Sequence, residues 1–216
     1  MKTLDRYWRV FATGFCFLVF GLGGLTLSFI VVPATRVFTK NKIAREYRVQ
    51  NAIQRSFNAF CKLMKFTGAI DYKIVGAEKL KQDTNCLIVA NHPSLIDYVL
   101  IASQLERCDC LVKSAIWANP FMKHIVKAAG YIPNETPDDP VRTERDLRVI
   151  HITVSPSFLT KEKKWYQVPP IKPFFLVEVK DKVEVKPFIE QTTSPTIAAR
   201  RLQQHLSETI FPENVQ

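Results

Sequence analysis

From Val10 to Val32 the chain reads VFATGFCFLVFGLGGLTLSFIVV, 23 residues without a charge. As a helix this run is roughly 34 Å long, enough to cross the hydrocarbon core of a bilayer. A cleaved leader has an apolar region of only about 7 to 15 residues and ends at a small-residue cleavage site. Here the run goes straight on to Pro33 and a basic stretch. The expectation is a retained N-terminal membrane helix within residues 1–35. A helix lying in the interface is the alternative.

The flanks set its orientation. Lys2, Arg6 and Arg9 stand before the run against Asp5, and Arg36, Lys40, Lys42, Arg45 and Arg48 stand after it against Glu46. The greater positive charge after the run places the body on the cytoplasmic side of the cell membrane. These flanks hold more than half of the net charge of +10. The basic composition is therefore membrane electrostatics, and a nucleic-acid partner is not expected.

Only seven glycines occur, and Gly14, Gly21, Gly23 and Gly24 lie inside the apolar run. The remaining Gly68, Gly76 and Gly130 are too widely spaced for a dinucleotide fingerprint or a P-loop, which bring several backbone amides onto phosphate. Five cysteines without a framework spacing fit a reducing compartment. Cys108 and Cys110 form C-x-C with no second ligand pair, so no metal site is expected.

Residues 36–70 form a basic segment in which Ile43, Tyr47, Ile53, Phe57, Phe60, Leu63 and Met64 recur at helical spacing. This predicts an amphipathic helix over 40–67, resting either on anionic lipid or against a core. Residues 71–216 then alternate strands and helices. Asp71–Val75, Cys86–Ala90, Leu111–Val112, Tyr131–Ile132, Val149–Val154 and Phe174–Val179 read as strands. Cys86–Ala90 is a continuous apolar run of the kind buried on both faces. Ser94 onward and Pro120–Ala129 read as helices, and Ser194-Pro195 begins a last helix reaching Ser207. The chain is expected to be an α/β domain behind a membrane helix.

The chemistry sits in CLIVANHPSLIDYVL, residues 86–100. Polar residues interrupt an apolar strand as it passes into a helix, the place where α/β folds bind ligands. His92 and Asp97 are five positions apart, about 140° around a continuous helix, and could not meet on one. Pro93 resolves this by forcing His92 out of helical geometry, which lets the chain fold back. A carboxylate on one ring nitrogen would leave the other free as a general base. With no G-x-S-x-G present, the attacking hydroxyl belongs to a substrate. Asn91 and Ser94 flank the base, either positioning it or a substrate, or capping the helix. His124 and His151 have no carboxylate at a suggestive spacing and read as structural. Lys161, Lys163 and Lys164 beside Trp165 and Tyr166 form a charged loop or a second interfacial contact.

The block Asn91-His92-Pro93-Ser94-Leu95-Ile96-Asp97, behind an apolar strand and an N-terminal membrane helix, resembles the NHxxxxD block of the glycerolipid acyltransferases. The resemblance is to the bacterial lysophosphatidate acyltransferase type. It implies a mixed sheet flanked by helices. It also implies that His92 deprotonates a lysophospholipid hydroxyl, most simply that of lysophosphatidate, with Asp97 orienting it. The hydroxyl would attack the thioester of acyl-CoA or acyl carrier protein, with no cofactor besides that donor, in phospholipid biosynthesis.

The family's second block is met by Gly130, Tyr131 and Ile132 but without its arginine. Its F-P-E-G-T-R loop, expected before the strand VIHITV, is absent, as though a section near 139–149 were lost. Phe211-Pro212-Glu213 does not replace it, and Arg142, Arg145 and Arg148 are left as the nearby cations. A shortened relative that binds lipid or a partner without catalysis is the alternative.

Overall fold

The computed structural model describes residues 2–83, 86–133, 146–160, 163–190, 200–202 and 204–206. Helix α1 (Lys2–Thr26) runs through a π-helical turn (Leu27–Val31) into α2 (Val32–Phe38). Pro33 has no N–H to bond one turn back, and the widened turn lies immediately before it. Asn41 starts α3 (Lys42–Phe66) as its N-cap, its side-chain oxygen accepting the Ala44 N–H at 3.1 Å.

The body follows as β1 (Asp71–Val75), α4 (Ala77–Gln82), β2 (Leu87–Ala90) and α5 (Asp97–Ala102). Then come β3 (Leu111–Val112), α6 (Ser114–Ala118), α7 (Lys123–Ala128), β4 (Ile132–Pro133), β5 (Leu147–Ser155), β6 (Phe174–Val183) and α8 (Lys186–Glu190). The main sheet has the order β1-β6-β5-β2: β1 pairs parallel with β6, β2 parallel with β5, and β5 antiparallel with β6. Strands β3 and β4 form a small parallel pair. The mixed α/β architecture is the expected one.

Period-two alternation decides which face each strand residue covers. On one face Ile150, Ile152, Phe175, Val177 and Val179 pack beneath α1, α3 and α5, with Phe60, Met64 and Leu100 among the buried partners. On the other, Leu147 and Val149 meet Leu206, with Leu87, Val89 and Leu202 against them. Strand β2 is half-buried along its length and ends the sheet among the described residues, where full burial on both faces was expected. Both its faces are covered, Ile88 and Ala90 by the main core and Leu87 and Val89 by the smaller one, but a strand paired on one side leaves part of its surface open.

Helix α3 takes the core-packed alternative, burying Val49, Gln50, Ile53, Phe60, Cys61 and Met64, whereas Ile43 and Tyr47 stay exposed. The start of the last helix, at Ser194-Pro195, lies outside the described residues, and 200–202 and 204–206 are helical.

Helix α1 lies against the body from end to end. Near its start Trp8 Nε1 donates to the Thr67 carbonyl at 3.0 Å, and Arg9 donates to the Pro170 carbonyl at 2.6 Å while pairing with Asp5. Arg9, read from the sequence as part of a charged flank, is buried. Gly14 allows the Trp165 ring to approach, since a Cβ there would stand 3.1 Å from it. Farther on, Phe20 packs on Phe57 and Phe60, and Ser28 bonds the Phe121 carbonyl.

Gly130 closes α7 with φ +75°, and a Cβ there would meet the Glu46 carboxyl carbon at 3.1 Å. Left-handed geometry disfavours any other residue, so Gly130→Ala is expected to lower stability by about 1–2 kcal/mol, read as the denaturation midpoint in detergent micelles.

Candidate active site

Strand β2 ends at Ala90, and the next six residues make an extended turn before α5 begins at Asp97. Pro93 forbids a direct strand-to-helix passage, and the fold-back brings the two ends of the turn together. His92 Nδ1 stands 4.0 Å from Asp97 Oδ2. The imidazole side chain is 57% exposed, whereas the carboxylate is fully buried. The pair expected from the spacing is therefore assembled, with its base open to a substrate and its carboxylate closed to water.

Asp97 is held by Ser94. The Ser94 N–H donates to Oδ2 at 2.7 Å and its hydroxyl donates to Oδ1 at 2.7 Å; the same hydroxyl oxygen accepts the Ile96 N–H at 3.2 Å. Burial pushes the Asp97 carboxyl above its usual range, opposed by these two bonds and by the charge His92 would carry. Both carboxylate oxygens are engaged, which fixes the one facing His92.

Asn91 fastens the turn to the sheet. Its Nδ2 donates to the Ile152 carbonyl at 2.8 Å, and its Oδ1 accepts the Ile152 N–H at 2.7 Å. The side chain thus extends the β2–β5 ladder by one step beyond Ala90, where the backbone leaves the sheet. Asn91 and Ser94, expected to position the base or a substrate or to cap the helix, have their side-chain polar atoms bonded within the protein.

A second loop completes the site's wall. Strand β5 runs parallel to β2, so its exit, Ser155 to Thr160, emerges beside the turn. Leu159 has φ 53°, and its carbonyl accepts the Leu95 N–H at 2.9 Å while its side chain is fully buried. The family loop was expected before this strand, whereas the segment lying against the His/Asp turn follows it, as S-P-S-F-L-T. The region of the expected loss falls largely within 134–145, outside the described residues, as do Arg142, Arg145 and Phe211 to Glu213.

Arg148 is not free for a phosphate. It is buried in β5, bonded through Nη2 to Asp83 at 2.7 Å and through Nη1 to the Lys180 carbonyl at 2.9 Å. His124 lies against the ring of Phe29, and His151 faces Glu178 across the sheet at 3.7 Å. Tyr131 of the second block meets Tyr98 of α5, hydroxyl to hydroxyl at 3.0 Å. Among the described residues no group of three or more His, Cys, Asp or Glu could hold a metal.

An exposed imidazole backed by a buried carboxylate, at the end of a strand in a mixed α/β sheet, has the geometry that general-base chemistry requires. The sequence model of the acyltransferase family matches residues 71–166, which includes this site. The fold is similar to that of the 1-acyl-sn-glycerophosphate acyltransferase PlsC from Thermotoga maritima, whose crystal structure superposes with a TM-score of 0.60 at 11% identity over 100% of this chain and 99% of that one. No curated protein matches. The block Asn91 to Asp97 stands within the segment that matches the acyltransferase model, on a fold similar to that of PlsC.

Proposed function

We propose that the protein transfers an acyl group from an acyl thioester, on CoA or acyl carrier protein, to the free hydroxyl of a lysophospholipid, with lysophosphatidate as the first candidate. The observation that carries this is the exposed His92 ring against the buried, doubly bonded Asp97 carboxylate. His92 Nε2 removes the hydroxyl proton as the oxygen attacks the thioester carbonyl. The C–O bond forms, the C–S bond breaks, and the proton passes from His92 to the departing thiolate. Asp97 faces Nδ1 and stabilises the imidazolium between these steps. Asn91 and Ser94 position the pair, one by holding the turn on β5 and the other by orienting the carboxylate.

The test is transfer of radiolabel from acyl-CoA, with acyl carrier protein in parallel, to lysophosphatidate in membranes carrying the chain. Product above empty membranes is expected. The second reading, a lipid-binding relative without turnover, is favoured by the uncharged Ser155–Thr160 loop, which has neither the glutamate nor the arginine of F-P-E-G-T-R. No product with either donor would select it.

The membrane contact follows from the other side of α1. Leu4, Trp8, Phe11, Phe15, Leu18, Leu22, Leu25 and Phe29 form an exposed apolar stripe along its outer face. The stretch Leu4–Phe38 is long and apolar enough to cross a bilayer. The body, however, packs on both its ends, so a spanning helix would draw the body into the hydrocarbon with it. We therefore place α1 in one leaflet, on the cytoplasmic face, where anionic lipid would meet the basic segment that follows it. Phe11→Glu with Leu18→Glu is expected to move most of the protein from the membrane pellet to the supernatant after high-salt washing, whereas the unaltered chain stays in the pellet.

A further inference from the structure

The Ser155–Thr160 loop lies against the His92 turn and carries no charge, but a cation is laid over it from farther along the chain. The Lys163 N–H donates to the Thr160 carbonyl at 3.1 Å, and its Nζ donates to the Ser157 carbonyl at 3.2 Å. Ser157 stands two residues before Leu159, whose carbonyl accepts the Leu95 N–H between His92 and Asp97. Two residues span about 7 Å at most, so the ammonium stands beside the turn that carries the base.

The charge is available. Lys163 is exposed, its side chain bonds a carbonyl, and among the described residues no carboxylate stands within ion-pair distance of it. At the same end of the sheet Lys65 and Lys172 share Asp71, and Arg9 pairs with Asp5. Lys164 lies over the Tyr166 ring, 5.8 Å from its centroid. An ammonium held by one carbonyl has donors to spare for an anion.

The same segment reaches the membrane helix. The Trp165 ring packs on Phe17 and over Gly14 of α1, and Tyr166 stands edge-on to it at 5.7 Å. Both rings are about half exposed, and Gly14 lies on the flank of the apolar stripe that includes Phe11, Phe15 and Leu18. Exposed Trp and Tyr side chains settle at headgroup depth. With α1 in the leaflet, residues 163–166 therefore lead from the headgroups to the His92 turn.

We propose that Lys163 is a specificity-determining residue, which binds the acceptor's phosphate and selects a phosphomonoester lysolipid. The assignment rests on the acyltransferase reading and names its acceptor class. In lysophosphatidate the phosphate sits on the carbon next to the one that bears the free hydroxyl, so the cation that holds it has to stand beside the base. Lys163 meets that condition, and its ammonium repels the cationic end of a choline headgroup.

The test measures acyl transfer by the full chain in neutral detergent micelles, to lysophosphatidate and in parallel to 1-acylglycerol, which offers free hydroxyls without the phosphate. In Lys163→Gln, KM for lysophosphatidate is expected to rise roughly fivefold to tenfold with kcat nearly unchanged. Transfer to 1-acylglycerol should stay as it was, and Lys163→Arg should recover most of the loss. Lys164→Gln removes the same charge from the same loop and should leave both acceptors unaffected. An unchanged KM in Lys163→Gln, or an equal rise in Lys164→Gln, overturns the proposal. So does a Lys163→Gln chain that sediments less with equimolar phosphatidylcholine and phosphatidylglycerol vesicles yet keeps its KM in micelles, since the bilayer's phosphates would then be the ligand. Equilibrium binding of tritiated lysophosphatidate separates this proposal from the enzyme reading. Binding that weakens in Lys163→Gln without product from either donor keeps the phosphate site and sinks the enzyme, whereas turnover with KM unmoved does the reverse. Absence of lysophosphatidate binding by the unaltered chain overturns the phosphate site outright.

Discussion

His92→Ala is expected to lower acyl transfer by about 10³-fold with little change in stability, because a positioned general base contributes about 10²–10⁴. The ring is more than half exposed and neither stitches the turn to the sheet nor fills the core. Its loss therefore removes chemistry and leaves the fold. Asp97→Asn separates the pair further. An asparagine oxygen still accepts the Ser94 N–H, so the turn survives, but the negative charge that steadies the imidazolium is lost. A fall in kcat of roughly tenfold to a hundredfold with KM nearly unchanged is expected. Steady-state transfer from labelled acyl-CoA checks both, with melting curves confirming the fold. An alanine variant with full activity would sink the base assignment for His92.

The site was legible because its signal is local. Pro93 between an apolar strand and a helix dictates a turn whatever the rest of the chain does, and the His92–Asp97 fold-back follows from that turn. What stayed hidden depends on strand pairing. The partner of Asn91 is the Ile152 backbone, sixty-one positions away, and the carboxylate facing His151 comes from β6. Neither spacing means anything until β5 is paired parallel to β2 and antiparallel to β6. The same blindness affected the loop. Read linearly, VIHITV was a strand that should follow a missing loop; once paired, its own exit at Ser155–Thr160 lies against the turn. The apolar run was legible as a helix of membrane length, but its contacts were not. Length and composition fit a spanning helix, but the buried Arg9 and the bond from Trp8 to Thr67 are tertiary facts that hold α1 on the body.

Asp83→Ala is expected to cost about 3–5 kcal/mol, because it strands a cation inside the fold. Arg148 and Asp83 are nearly closed to water, with side chains 8% and 6% exposed, and Lys182 reaches the same carboxylate at 3.1 Å. The clamp joins the loop between α4 and β2 to β5 and β6, so its loss loosens the edge of the sheet from which the His92 turn projects. Hydrogen bonds from Arg148 lower the Asp83 carboxyl from 3.8 to about 2, with burial opposing and Lys182 reinforcing them. A folded-state value below the unfolded one gives a stabilisation complete above about pH 4 and lost as the pH falls towards 2, amounting to about 2 kcal/mol by linkage. Denaturation midpoints of the unaltered chain should therefore drop between pH 4 and 2, and this contribution should be missing in Asp83→Asn. Asp71 and Asp181, also lowered by lysine partners, titrate in the same range, so the difference between the two curves reports the Asp83 carboxylate, and an Asp83→Asn curve parallel to that of the unaltered chain would show that the clamp carries none of the transition.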